Sequence, residues 1–203
     1  MKLHGDLLSP FVRMSMVTAM ESGLGMRVQL VSAAVKPHEV NSVIAAQNPM
    51  GKIPVLERDH GHALYDSRVI MEYFCTEGNN DTLFPQDKIK RFRVLTTLAL
   101  AQGMGDASVA LRYETFARPE AQRWPELAER QRARIIAGLD ALERDGTGLL
   151  SDLTVAAIAT ACVLTYIDLR KLMPDWRKNR LRLAQWHEEF CKRESMVFTM
   201  PKA

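Results

Sequence analysis

The feature that most constrains the fold of this chain is a change of pattern near residue 85. Before that point, short strand-like runs alternate with short helical segments, separated by glycine and proline. After it, only long segments with helical periodicity follow. Residues 81–86 contain Pro85, which is followed by the polar residues Gln86 and Asp87, and they are predicted to be the linker. We therefore predict an α/β domain over residues 1–80 and an all-helical domain over residues 87–203.

Within the first domain, the predicted order is strand, helix, strand, helix, strand, strand and helix. Ser9 and Pro10 are residue types that cap and begin a helix, and Ser67 is predicted to cap the last one. Strands are predicted at residues 2–7, 27–31, 54–58 and 63–65, and helices at 10–22, 39–46 and 67–77. This order predicts a small mixed sheet with helices on both sides.

The second domain is predicted to consist of four helices. They are expected at residues 87–117, 123–144, 154–169 and 177–192. Gly103 and Gly105 are predicted to mark a bend in the first of them. The prolines of this half fall at helix starts or between helices, where they are tolerated.

Composition argues against several classes of protein. The chain has 203 residues, a formal charge of +3 and three widely spaced cysteines. An odd number of distant cysteines does not form a disulfide framework, so we expect a reducing, cytoplasmic location. The start lacks a signal-peptide pattern, and no uninterrupted apolar run predicts a membrane span. The basic tract at residues 177–182 lacks aromatic stacking residues, so nucleic acid is not an expected partner.

Three segments of the first domain carry a family resemblance. They are residues 9–13 (SPFVR), 48–56 (NPMGKIPVL) and 65–70 (YDSRVI). In this order and spacing they resemble the glutathione-binding half of soluble glutathione S-transferases, most closely bacterial members with serine at the active-site position. The helical half is similar too, at residues 154–158 and 166–170. The resemblance implies a thioredoxin-like N-terminal domain, a helical-bundle C-terminal domain and a homodimer.

Ser9 is the catalytic residue that the resemblance implies. The nucleophile of such an enzyme is a thiolate, and lowering a thiol pKa from about 8.5 to about 6.5 requires roughly 2.7 kcal/mol. A charge-assisted hydrogen bond from a hydroxyl supplies about 1.5–3 kcal/mol. A helix N-terminus adds about 0.3–1 kcal/mol. Ser9 at the start of a helix offers both effects, although a lone Ser-Pro is also explained as a simple cap.

Further residues are implied to bind glutathione, the expected co-substrate. A cis Ile53–Pro54 bond would present the Ile53 backbone to the cysteinyl unit, and Lys52 would meet the glycyl carboxylate. Asp66 and Ser67 would bind the γ-glutamyl ammonium and carboxylate. The complete implied set is Ser9, His38, Lys52, Ile53, Pro54, Asp66 and Ser67.

The second substrate is expected to be a small hydrophobic electrophile. Its pocket is predicted from both halves of the chain: Leu8, Phe11, Arg112, Tyr113 and Phe116. Arg112 and Tyr113 would stabilise developing negative charge, with a surface arginine and a core tyrosine as the plain alternative. For Arg13, two roles stay open at this point, pairing with a buried acid and lying near the sulfur. Asp106 would approach the ligand's ammonium from a second subunit.

Two observations limit the resemblance. Relatives usually place an aspartate three residues after the helix cap at Thr154, where this chain has Ala157, so half of a capping box is missing. His60 and His62 lack a nearby third ligand, so no metal is expected.

We therefore predict a glutathione transferase that conjugates the thiolate to an electrophile. Two alternatives are a non-catalytic ligand-binding or regulatory protein of this fold, and a glutathione-dependent isomerase or peroxidase on the same scaffold.

Overall fold

The computed structural model describes residues 1–201, apart from the side chains of residues 145–149. The chain divides into two compact units. One comprises Met1–Arg91 together with the C-terminal residues from Glu194 onward, and the other comprises Phe92–Arg193. We propose that residues 1–80 and 87–203 form the two domains of the protein, with residues 81–86 as the linker.

The first unit contains a three-stranded mixed sheet. Its strands are β1 (Lys2–Gly5), β2 (Gln29–Ser32) and β3 (Val55–Glu57). They lie in the order β2-β1-β3, with β2 parallel and β3 antiparallel to β1. The mixed sheet is as predicted, but the prediction of a fourth strand at residues 63–65 is wrong. In that segment only Leu64 pairs with β3, through one bridge to Leu56.

Four helices accompany this sheet. They are α1 (Pro10–Glu21), α2 (Ser42–Gln47), α3 (Ser67–Glu77) and a short C-terminal α8 (Glu194–Phe198). The buried face of α1 includes Val12, Met16 and Ala19, which pack into one core with Leu3 of β1. The predicted helix at 39–46 begins later because the Asn41 side chain caps it, accepting from Ile44 N–H at 3.2 Å. The sequence did not predict α8.

The second unit contains four helices, the first of which begins four residues earlier, in the first unit. They are α4 (Lys88–Arg112), α5 (Pro125–Leu149), α6 (Val155–Leu169) and α7 (Leu181–Phe190). The α4 helix runs without a break through Gly103 and Gly105, where a bend was predicted, and passes at its end into one π-helical turn, Tyr113–Ala117. The bend itself stays a prediction. The start of α7 is later than predicted, because Asp168 accepts from Trp176 Nε1 at 2.8 Å and pairs with Arg177.

One segment meets the length and hydropathy expected of a membrane span. Lys88–Ala117 contains an 18-residue window with mean hydropathy 1.3, and 50% of that window is buried within the protein. Core helices of soluble proteins meet the same criterion.

Arg13 of α1 lies beside the C-terminal segment, a contact that neither sequence hypothesis anticipated. Its Nε donates to Thr199 Oγ1 at 3.3 Å, and its Nη2 donates to the Met196 carbonyl at 2.9 Å. The side chain is 1% exposed, and its Nη1 has no partner within the described residues. Ser195 Oγ donates to Glu21 Oε1 at the other end of α1. These contacts attach α8 to the first unit.

The N-terminus of α6 allows a stability prediction. Thr154 is its cap, with Oγ1 accepting from Ala157 N–H at 3.3 Å. An aspartate at position 157 would accept from the Thr154 N–H and complete the capping box. Ala157→Asp is therefore expected to raise the free energy of unfolding by about 0.5–1 kcal/mol, measured by urea denaturation.

Ala159→Asp is the matched control for that variant. Ala157 and Ala159 are both fully buried in α6, but position 159 lies beyond the reach of the cap. A carboxylate at position 159 would lose its hydration without gaining the capping hydrogen bond. The control is therefore expected to destabilise the protein. Equal losses in the two variants would contradict the capping argument.

The N-terminus of α7 is capped from another helix. Arg180, at the cap position, makes no side-chain cap bond. Instead Glu143 of α5 accepts from Leu183 N–H at 2.8 Å and from Arg182 N–H at 3.3 Å. Burial raises the pKa of Glu143, but these hydrogen bonds outweigh it and hold that pKa below its usual range.

Glu143→Gln is expected to lower the free energy of unfolding at neutral pH by about 0.5–1.5 kcal/mol, because a neutral amide is a weaker cap. Since the folded pKa is depressed, this stabilisation is present above the unfolded value of about 4.3 and is lost as pH falls through the folded pKa. The urea midpoints of the wild type and of Glu143→Gln should therefore differ at neutral pH and become equal in acid. Glu188→Gln, an exposed change in α7, is the control.

Candidate functional site

The sheet register brings the predicted glutathione-binding segments to one edge. Gly5 ends β1 beside Ser32, which ends β2, so the chain leaves both strands at the same side. His4 pairs with Val55, so the Ile53–Pro54 turn enters β3 at that side too. These pairings place three loops together at this sheet edge.

The segment after the last bridge reaches the same edge. Leu56 pairs antiparallel with Leu64, so the residues that follow Leu64 run back alongside the start of β3. Asp66 and Ser67 therefore lie near the turn that contains Pro54. The sheet edge is thus formed by residues 6–9, 33–38, 52–54 and 65–67.

Ser9 stands at the N-terminus of α1, where a turn sets its position. The Asp6 carbonyl accepts from Ser9 N–H at 2.9 Å, and Asp6 Oδ1 accepts from Leu8 N–H at 2.7 Å. Ser9 Oγ accepts from Val12 N–H at 3.5 Å, a long capping bond. Because Oγ acts there as an acceptor, its own O–H stays available as a donor. Sequence reasoning missed Asp6, although an aspartate before a turn is a common signal.

Asn48 organises the loop before β3, and sequence reasoning gave it no role. It is 3% exposed. Its Nδ2 donates to the Lys52 carbonyl at 2.8 Å, and its Oδ1 accepts from Met50 N–H at 3.0 Å. Gly51 has φ +62°, a conformation that L side chains rarely adopt. The loop is therefore held in one shape, with the Lys52 side chain exposed.

The Ile53–Pro54 peptide bond is cis, as predicted. Among the loops and turns of residues 1–201, no backbone hydrogen bond uses the N–H or C=O of Ile53. Both groups are therefore available to a peptide-like ligand.

Asp66, not Ser67, is the cap of α3, which corrects the prediction. Asp66 Oδ1 accepts from Arg68 N–H at 3.0 Å, and the peptide bond before it is cis. Ser67 is the first helical residue and is 2% exposed. A first-turn position leaves backbone N–H groups directed out of the helix end.

His38 is exposed, and it lies in the loop that leaves β2. Its Nε2 is 3.4 Å from Glu39 Oε1, and Lys36 pairs with the same carboxylate at 2.9 Å. The His38 imidazole thus contacts the adjacent residue of its own loop.

The predicted electrophile residues fall in different units. Leu8 and Phe11 belong to the first, and Arg112, Tyr113 and Phe116 to the second. The Arg112 guanidinium lies over the Phe116 ring, 3.3 Å from its centroid. Their common role in one pocket stays a prediction.

Two further residues of the second unit act electrostatically on Arg112, and sequence reasoning missed them as candidates. They are Tyr166 and Arg170, which end the apolar helix α6. Burial raises the pKa of Tyr166, partly countered by the charge of Arg170. Their one signal in the sequence is that an arginine and a tyrosine lie close together near the ends of two predicted helices.

Metal ligands and the buried Cys75 thiol bear on the other chemistries that the sequence raised. Within the described part of the chain, no three His, Cys, Asp or Glu side chains group as metal ligands. Burial raises the pKa of the Cys75 thiol to about 12, so it stays protonated at neutral pH.

Comparison with known proteins decides the family. Residues 8–77 match the profile "Glutathione S-transferase, N-terminal domain", and residues 125–189 match "Glutathione S-transferase, C-terminal domain". An Escherichia coli K12 protein described as "Uncharacterized GST-like protein YibF" is 34% identical over 204 residues, covering 99% of this chain and 98% of its own. The chain belongs to the glutathione S-transferase family.

Solved structures agree with this assignment. A glutathione transferase family member from Pseudomonas fluorescens Pf-5 with bound glutathione is 38% identical, with a TM-score of 0.96, covering 100% of this chain and 99% of that one. A second structure from that source, with bound S-(propanoic acid)-glutathione, is 38% identical with a TM-score of 0.89 and full coverage of both chains. The predicted glutathione S-transferase fold is confirmed. The assignment of Ser9 to the active-site position stays a prediction.

Proposed function

We propose that this glutathione S-transferase family protein binds glutathione at the sheet edge and conjugates its thiolate to an electrophile. The observation that carries the proposal is the convergence of the Ser9, Ile53 and Ser67 segments, which follows from the strand register. Similar proteins have been crystallised with glutathione and with S-(propanoic acid)-glutathione, a thioether of the kind that conjugation produces.

In this proposal, each part of glutathione meets a group of matching chemistry. The cysteinyl backbone pairs with Ile53 before Pro54, and Lys52 attracts the glycyl carboxylate, with His38 nearby. The γ-glutamyl carboxylate meets Ser67 at the N-terminus of α3, where the helix dipole favours an anion. The Asp66 carboxylate attracts the γ-glutamyl ammonium.

Ser9 stabilises the reactive sulfur. Its Oγ already accepts from Val12 N–H, so the hydroxyl hydrogen is directed to another acceptor, and a thiolate is the strongest acceptor that glutathione offers. The N-terminus of α1 adds a favourable field at the same place. Leu8, Phe11, Arg112, Tyr113 and Phe116 contact the electrophile in this proposal.

Two measurements test this function. Retention on immobilised glutathione, with elution by free glutathione, is expected of a protein with an intact site. Conjugation of 1-chloro-2,4-dinitrobenzene, followed by thioether absorbance, then separates a transferase from a carrier. Retention without turnover would favour the non-catalytic alternative, and turnover of a peroxide or an isomerisable substrate alone would favour the third function. Failure of both measurements would reject the proposal.

A homodimer and a cytoplasmic location complete the proposal. In the second unit, an open cleft of about 640 Å³ lies between α4 and α5, lined mainly by small residues such as Gly103, Ala110 and Gly138. Asp106 and Arg134 also line it, which offers self-complementary charges to a second copy. The three cysteines are free thiols, which favours a reducing compartment. Sedimentation velocity at micromolar concentration tests the dimer.

A further inference from the structure

A chain of polar contacts lies in the second unit, at the C-terminal end of α7. Cys191 is the C-cap of this helix, and its Sγ lies 3.3 Å from Nε2 of His187, one turn earlier. His187 is 5% exposed, and its Nδ1 lies 3.4 Å from Nη2 of Arg177. The guanidinium is itself held in place by the carboxylate of Asp168. We call Arg177, His187 and Cys191 the thiol cluster.

Two contacts determine which nitrogen of His187 carries the proton. A guanidinium only donates, so Nδ1 accepts from Arg177. A carbonyl only accepts, and the carbonyl oxygen of Ala161 in α6 lies 3.2 Å from Nε2. Both contacts require a neutral imidazole with its proton on Nε2. The side of the ring that faces Cys191 is therefore a hydrogen-bond donor.

This N–H favours the ionised form of Cys191. Besides the sulfur and the Ala161 carbonyl, Nε2 faces Thr165 Oγ1 at 3.1 Å, and that hydroxyl donates its own proton to the same carbonyl. Of these three acceptors, only the sulfur gains a full negative charge when it loses a proton, and a hydrogen bond to an anion is the strongest kind. Arg177 polarises the imidazole in the same direction. The terminal carbonyls of α7 oppose a thiolate, but they carry only partial charges.

Exposure distinguishes Cys191 from the other two cysteines of the chain. Cys75 and Cys162 are buried, whereas Cys191 is half-buried at a helix end. Burial raises the pKa of the Cys75 thiol to about 12. Oxidation of a cysteine requires both thiolate character and access. Cys191 is the thiol that meets both requirements, and the other two serve as references within the same molecule.

We propose that Cys191 is a site of oxidation by small hydroperoxides, which convert its thiolate to a sulfenic acid. With hydrogen peroxide, the sulfur attacks one oxygen, an S–O bond forms and the O–O bond breaks. The leaving hydroxide keeps the bonding electrons and takes a proton from solvent, so the sulfur is oxidised by two electrons and the peroxide is reduced to water. His187 and Arg177 are positioning residues, because they act through the sulfur. This oxidation goes beyond the proposed transferase function and needs no glutathione at the sheet edge.

Hydrogen peroxide is the probe, applied to the whole protein with excess dimedone to trap sulfenic acid. Mass spectrometry of the peptides then assigns each adduct to its cysteine. At neutral pH, the adduct should form at Cys191 at least about tenfold faster than at Cys75 or Cys162. Equal rates at the three cysteines, or no adduct at Cys191, would overturn the proposal.

The pH dependence of alkylation by iodoacetamide separates thiolate character from access. Between about pH 7 and pH 9, the rate for free glutathione rises roughly 25-fold as the thiol ionises. The rate for Cys191 in the wild type should rise by less than about fivefold, because the hydrogen bond from His187 keeps more of this thiol ionised at neutral pH. A rise as large as that of glutathione would overturn the role of the thiol cluster, whatever the access to the sulfur.

Two variants test the positioning residues. His187→Leu and Arg177→Gln should each slow peroxide oxidation of Cys191 at neutral pH by about five- to tenfold. Lys192→Gln is the matched control for Arg177→Gln. It removes the same charge from an exposed residue that adjoins Cys191 and pairs with Glu189 at 2.6 Å, and it should change the rate by less than about twofold.

Equal slowing in Arg177→Gln and Lys192→Gln would attribute the reactivity to general surface charge and overturn the thiol cluster. Adducts at Cys75 and Cys162 in the same sample reveal a variant that does not fold, because both residues are buried in the folded protein. In that case the comparison of wild-type alkylation at the two pH values decides.

Discussion

Replacing Ser9 with alanine is expected to lower kcat/KM for conjugation by about 10- to 100-fold and to raise the pKa of the bound glutathione thiol by about 1–2 pH units. The physical reason is the loss of one charge-assisted hydrogen bond to the thiolate, while the N-terminus of α1 remains. The ultraviolet absorbance of the thiolate measures this pKa directly when it is recorded against pH with glutathione bound.

Ser15→Ala is the matched control for the Ser9 variant. Ser15 lies in the same helix and is fully buried, and its Oγ donates to the Phe11 carbonyl at 2.9 Å. Losing that bond should cost stability without moving the thiol pKa. The capping bond of Ser9 is long, so Ser9→Ala should reduce the free energy of unfolding by only about 0.5 kcal/mol. A Ser9→Ala protein with wild-type thiol pKa would remove Ser9 from its catalytic role.

Arg13→Ala is expected to lower the free energy of unfolding by about 3–4 kcal/mol, the largest stability effect among these variants. The change removes two hydrogen bonds from a charged donor, leaves the Met196 carbonyl and Thr199 hydroxyl without that donor, and opens a cavity in the core. Urea denaturation measures the loss. In this variant, amide hydrogen exchange should become faster in residues 195–199 before it does so elsewhere.

Two further variants divide this effect into its parts. Arg13→Met keeps much of the chain length but no donor, so it should recover the packing contribution and lose about 1–2 kcal/mol. Thr199→Val removes the acceptor of Arg13 Nε and should lose about 1 kcal/mol. If Arg13→Ala unfolded at the wild-type urea midpoint, the proposed attachment of the C-terminal segment would be wrong.

Local patterns in the sequence were reliable where the cause is itself local. The Ser9–Pro10 start of α1 follows from the cap preference of serine and the fixed φ of proline. The mixed sheet followed from the order of short strands and helices. The predicted cap of α3 was wrong because two adjacent residues are both good caps. Ser67 was predicted, and Asp66 is the cap.

Other features depend on contacts between residues distant in sequence. Glu143 caps α7 from about 40 positions away, and Arg13 bonds residues more than 180 positions further along. No periodicity or motif encodes such a contact, because any of several buried acceptors would satisfy the same donor. Asn48 belongs to the same group, since its role depends on how the loop to Lys52 closes.

The sequence by itself determined the family, the domain types and the segments expected to hold glutathione, because each depends on short motifs whose geometry is set by nearby residues. Only the tertiary structure decided that these segments share one sheet edge and that Arg13 is buried against the C-terminal segment. The physical reason is that burial and unpaired charge are properties of the packed chain, which no residue carries alone.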